Sequence, residues 1–84
     1  MGKIAVILRV MPEDAETDLE ALRNSIEERI DVNDFKEDEV AFGLKALLVS
    51  TMTTDEEGGT DYVENQLEDI EGVQSISIES FNKV

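Results

Sequence analysis

Ile4, Val6, Leu8 and Val10 are apolar at every second position, the period of a β-strand with one face against a core. Lys3 to Met11 is therefore expected to be a strand. Pro12, the only proline, should end it, because proline has no amide hydrogen to give a ladder. Ala5 and Ile7 are apolar too, which points to a central strand partly covered on both sides.

The period then changes. Leu19, Leu22, Ile26 and Ile30 fall at intervals of three, four and four, one face of a helix from about Asp18 to Ile30. Thr17 followed three residues later by Glu20 is a capping-box pattern. Val32 to Phe42 reads as a second, weaker strand with a polar middle, Lys36 to Glu39, that invites a bulge or bend. Such charge suits an edge strand, where it discourages pairing with another chain. Gly43 marks a turn or kink. Leu44 to Thr54 reads as a third strand, central because Leu47, Leu48 and Val49 are apolar on both parities.

Asp55 to Gly59 reads as an acidic loop, and Thr60 as the cap of a second helix carrying Val63, Leu67 and Ile70 on one face. Gly72 is expected to end that helix as a C-cap glycine. Val73 to Phe81 should be the last strand, with Ile76 and Ile78 toward the core and Asn82-Lys83-Val84 as a short polar tail. The order βαββαβ predicts an α+β, ferredoxin-like sandwich, with four antiparallel strands and both helices on one face.

With 84 residues, residues 1–84 are expected to form a single domain. Charge narrows the partners. There are 21 acidic and 7 basic residues, for a net charge of −14, and the cations are scattered. Direct nucleic-acid binding is not expected, because phosphate contacts need clustered Lys and Arg. Anionic membranes should repel this surface. The longest apolar run, Ile4 to Leu8, is far shorter than a membrane span. The N-terminus has neither a basic region nor a cleavage site, so a cytoplasmic location is expected.

Composition also bears on chemistry. There is no Cys and no His, which removes thiolate chemistry, the usual general base and the commonest metal ligand. No Ser stands in a nucleophile-elbow pattern. Gly58-Gly59 precedes a helix, but Asp55, Glu56 and Glu57 would repel phosphate and no P-loop lysine is present. The same acids lack the alternating spacing of a calcium loop. The aromatics Phe35, Phe42, Tyr62 and Phe81 do not match an RNA-reading sheet. No covalent chemistry, metal or cofactor of its own is therefore expected. Two residues remain of interest. Phe42, beside Gly43, is either a core plug or an exposed wedge. Lys83 is a terminal ammonium in a chain poor in cations.

Several segments together resemble a known family. Val10-Met11-Pro12, Asp18-Leu19-Glu20-Ala21-Leu22, Ala41-Phe42-Gly43-Leu44, Glu57-Gly58-Gly59-Thr60 and Ile70-Glu71-Gly72-Val73 occur in the order and spacing of the archaeal translation elongation factor 1-beta family. Ser80-Phe81-Asn82-Lys83-Val84 resembles the C-terminal end of the eukaryotic exchange domain, as does Gly59-Thr60-Asp61 near the start of the second helix. That family has a ferredoxin-like fold. The resemblance implies a guanine-nucleotide exchange factor that promotes GDP release from the GTPase elongation factor 1-alpha, after which GTP reloads the site. It also implies that the penultimate lysine, here Lys83, reaches the GTPase's magnesium site and that an aromatic, here Phe42, inserts into the GTPase. A monomer that leaves GDP and GTP to its partner is expected.

The match is not complete. Of the lysines that begin the third strand in the eukaryotic domain only Lys45 remains, followed by Ala46, and archaeal members usually carry less acid. The excess hints at a high-salt cytoplasm. The alternative is a small regulatory or protein-interaction domain of ferredoxin-like fold without exchange activity.

Overall fold

A computed structural model describes residues 2–41, 43–54 and 59–83. The element order is β1 (Lys3–Pro12), α1 (Leu19–Arg29), β2 (Val32–Ala41), β3 (Leu44–Thr54), α2 (Gly59–Leu67) and β4 (Val73–Lys83). The strands form one sheet in the order β2-β3-β1-β4, and every neighbouring pair is antiparallel. β1 and β2 thus run parallel with β3 between them, and β3 and β4 run parallel with β1 between them. Two interleaved βαβ units of this kind make the ferredoxin-like sandwich that the hydrophobic pattern predicts.

The core lies between the sheet and the helices. Val6, Leu8 and Val10 from β1 meet Leu47 and Val49 from β3, with Leu22 and Ile26 from α1 and Val63 and Leu67 from α2. The inward set follows the two-residue period in the strands and the helical period in α1 and α2. β1 is central, but only one of its faces lies under the helices. On the other face Ala5 is half-buried and Ile7 is 36% exposed. β2 is an edge strand, and its polar middle pairs with β3 without a break. Its irregularities fall instead near the ends, between Val32 and Asp34 and between Glu39 and Ala41.

Both helix starts differ from the sequence reading. The N-cap of α1 is Asp18, not Thr17. Its carboxylate accepts the amides of Glu20 at 3.1 Å and Ala21 at 3.2 Å, which satisfies two of the orphan donors of the first turn. The Thr17 hydroxyl is engaged upstream, donating to the Asp14 carboxylate at 3.2 Å and accepting the Asp14 amide at 3.3 Å. Thr60 lies inside the first turn of α2, one residue past its start. α2 ends at Leu67, and Ile70 is buried from the turn that follows. Gly72, at φ 97°, closes that turn rather than the helix. Its carbonyl accepts the Glu13 amide at 3.0 Å, tying the exit of β1 to the entry of β4. Arg29 joins the helices by donating to the Gln66 carbonyl at 3.1 Å and to Asp69 at 2.9 Å.

Candidate functional site at the two ends of the sheet

Lys83 sits on the last rung of β4, opposite Ile4, and Asn82 sits opposite Ala5. The C-terminal segment is therefore strand through Lys83, not a polar tail from Asn82 onward. Ladder hydrogen bonds use backbone groups, so polar side chains do not end a strand while a neighbour continues to pair. A bulge sets which way this end faces. Leu8 pairs with Ile78 and Ile7 with Ser80, so Glu79 is the extra residue. Without it, every side chain beyond Ile78 would move to the opposite face. The bulge places Phe81 across from Val6 and Lys83 across from Ile4, on the helix-side parity of β1. Lys83 is exposed and Phe81 is 58% exposed. No ion pair among the described residues involves Lys83.

Phe42, the other sequence-predicted contact, lies outside the described residues. Its chain neighbours mark the far end of the molecule. Ala41 pairs with Leu44 across the β2–β3 turn, and Gly43 stands at φ 79° with nothing within 4 Å of an added Cβ. Beside this turn a hollow of about 260 Å³ is lined by Pro12, Thr17, Leu19, Gly43 and Lys45, among others. Lys45 reaches Glu37 at 3.7 Å, while Ala46 is fully buried. The turn at Gly43 and the Lys3–Lys83 end are separated by the length of β3, 11 residues, or about 35 Å at roughly 3.3 Å per residue. The sheet thus holds the two ends apart as a rigid spacer.

Most of the cations between those ends are committed. Arg9 rises from β1 on the face away from the helices. It meets Asp38 of β2 at 2.7 Å and Glu79, in the β4 bulge, at 3.5 Å. These contacts, the one to Asp38 foremost, raise the Arg9 pKa further above its ordinary value. One guanidinium thereby links both edge strands to β1 across the small, buried Ala46 of β3. Pattern reading missed this residue. An arginine inside an alternating apolar strand was the available signal, but its partners depend on a register that sequence spacing does not reveal. Arg29 is paired with Asp69 and Lys45 with Glu37, and the Arg23 guanidinium lies 4.9 Å from the centre of the Phe35 ring.

Among the described residues, the buried polar side chains are Thr51 and Thr53. Their hydroxyls donate to the carbonyls of Asp31 and Gly59. No group of His, Cys, Asp or Glu among the described residues is placed to hold a metal ion. Nor is any helix there long and apolar enough to cross a membrane. Of the expected acidic loop, residues 55–59, residues 55–58 lie outside the described residues and Gly59 is the first residue of α2.

Comparison with known proteins shows the family. Residues 5–84 match the family model described as the EF-1 guanine nucleotide exchange domain. The chain is 43% identical over 79 residues to elongation factor 1-beta of Methanosphaerula palustris, covering 93% of each protein. It is 40% identical over 88 residues to elongation factor 1-beta of Haloarcula marismortui, covering 100% of each. With elongation factor 1-beta of Methanothermobacter thermautotrophicus it shares 43% identity over 82 residues, or 93% of this chain and 92% of the relative. The chain therefore belongs to the elongation factor 1 guanine nucleotide exchange domain family, with a role in nucleotide exchange during translation elongation.

Proposed function

We propose that residues 1–84 act as a single exchange domain that promotes GDP release from elongation factor 1-alpha. The observation that carries this reading is the family match along residues 5–84. The exposed Lys83 at the end of β4 is consistent with it. The chain acts by binding rather than by covalent chemistry. It works as a monomer in the cytoplasm and leaves nucleotide and magnesium to its partner.

The physical account is linkage. A factor that binds the nucleotide-free GTPase more tightly than the GDP-bound form must weaken GDP binding by the same ratio. Magnesium bridges the phosphates to the GTPase and neutralises their charge. An ammonium entering that space competes with the ion by charge and volume, and it brings one positive charge where magnesium brought two. In this reading Lys83 supplies that ammonium. Its backbone is held in the ladder opposite Ile4, so the charge is delivered from a fixed base rather than from a frayed end. Phe42 acts at the other end of the sheet as an apolar wedge, whose full burial in the partner contributes about 1.5–3 kcal/mol.

The variants Lys83→Ala and Phe42→Ala test the two contacts in release of fluorescent GDP from the cognate GTPase. Lys83→Ala should lower the maximal acceleration, because it removes the group that disturbs the phosphate site. Phe42→Ala should mainly raise the concentration of factor needed, because it removes binding area. Variants that behave like the intact protein would remove these residues from the account. An intact protein that leaves release unchanged would remove the exchange reading altogether.

A further inference from the structure

Resting on the exchange reading above, we infer that Lys3 is a second cation of the exchange site, forming with Lys83 a two-charge pole that opposes magnesium at the GTPase's nucleotide. Register brings the pair together. Lys83 stands opposite Ile4, and Lys3, the next residue on β1, stands opposite Thr54 on the other side. The two lysines are thus one position out of register on adjacent strands. Because side chains alternate along β1, Lys3 leaves on the face opposite to Ile4 and Lys83. The two ammonium groups therefore bracket the end of the sheet from its two faces.

Both are exposed, and no ion pair among the described residues involves either one. That sets them apart from Arg9, Arg29 and Lys45, which are all paired with carboxylates. Lys36 is likewise unpaired among the described residues, but it lies within β2, two positions from both Asp34 and Asp38. Among the described residues, two such cations fall on adjacent strand ends only at the Lys3–Lys83 end, in a chain of net charge −14. Beside Lys3 a hollow of about 220 Å³ is lined by Met52, Thr53 and Thr54, and Met52 is 40% exposed. It offers apolar surface against which a partner can seat while the lysine head stays free.

The test is thermodynamic. Affinity for the GDP-bound GTPase is measured with magnesium chelated and with magnesium in excess, for the intact protein, Lys3→Gln, Lys3→Arg and Lys83→Gln. Magnesium should weaken binding of the intact protein by on the order of tenfold, a usual size for linked sites. Lys3→Gln should reduce that ratio to roughly threefold, Lys3→Arg should restore it, and the melting temperature should not change. A Lys3→Gln variant that binds more weakly by the same factor in both conditions would overturn the inference, since that is simple surface attraction. A variant with the intact ratio would overturn it too. Loss of the ratio in Lys83→Gln alone would sink the role of Lys3 and leave the exchange reading standing. If the intact protein neither senses magnesium nor speeds GDP release, the exchange reading itself fails.

Discussion

Leu47 and Leu48 are chemically identical neighbours on β3, yet the fold gives them different surroundings. Leu47 is fully buried between the sheet and the helices, while Leu48 is half-buried on the other face, between Arg9 and Lys36. Truncation of Leu47 to Ala removes a fully enclosed isobutyl group and leaves a cavity, at a cost of about 3–4 kcal/mol. Truncation of Leu48 removes area that is already partly wet and leaves no sealed void, so about 1 kcal/mol is expected. A chain of 84 residues has a total stability of roughly 4–13 kcal/mol. Its unfolding entropy, at about 2.1 cal/mol/K per residue, is close to 0.18 kcal/mol/K, so each kcal/mol moves the midpoint by about 6 °C. Leu47→Ala should therefore melt about 20 °C below the parent and Leu48→Ala about 6 °C below it. Circular dichroism melts and urea titrations of the two variants measure this directly. Equal losses would refute the assignment of the two faces, and a larger loss for Leu48→Ala would reverse it.

Asp18→Ala should cost about 1 kcal/mol, the usual value of a helix N-cap, and should cost more than Thr17→Ala. The reverse order in chemical denaturation would restore Thr17 as the cap. Gly43→Ala should cost about 1–2 kcal/mol from its left-handed backbone alone, since no neighbour crowds the site. Gly43→Asn should recover part of this, because asparagine tolerates that conformation; a neutral Gly43→Ala would show that the turn readily changes shape. Stability should rise as salt increases from about 0.01 M to 1 M, because screening relieves repulsion in a chain of net charge −14. A midpoint that stays flat across that range would mean that the acids are locally compensated.

How far the sequence revealed the molecule follows from what each signal encodes. Alternation in β1 was legible because burial of one face forces a period of two, and β3 was legible as an apolar run on both parities. Leu44–Thr54 was bounded correctly by Gly43 and the acidic loop. Ile70 extended the helical pattern past the end of α2 because apolar periodicity reports which residues face inward, and a turn can bury a side chain as well as a helix can. The Asp18 cap was missed because two capping residues stand side by side. Sequence does not show that Thr17 is already engaged with Asp14. Asn82 and Lys83 were read as tail because they are polar, whereas strand pairing there depends on β1. The bulge at Glu79 and the Arg9 contacts lay out of reach, since both are properties of register between strands distant in sequence. The candidate site was the least legible part. Neither periodicity nor spacing gives Lys83 or Phe42 a role: the residues alone mark them only as a scarce terminal cation and an aromatic beside a glycine, and their roles entered through resemblance to the family.

The sheet's stiffness links these observations to function. Hydrogen-bonded pairing along β1, β3 and β4 fixes the separation between the Gly43 turn and the Lys3–Lys83 end. A partner that engages both ends therefore meets groups at a set distance, without a large ordering cost on binding. The most direct measurement of the central claim is the rate of fluorescent GDP release from elongation factor 1-alpha as this protein is titrated in, with unlabelled nucleotide in excess. The account predicts a rate that climbs with protein concentration and saturates well above the spontaneous value. A rate that stays at the spontaneous value while the two proteins demonstrably form a complex would contradict it.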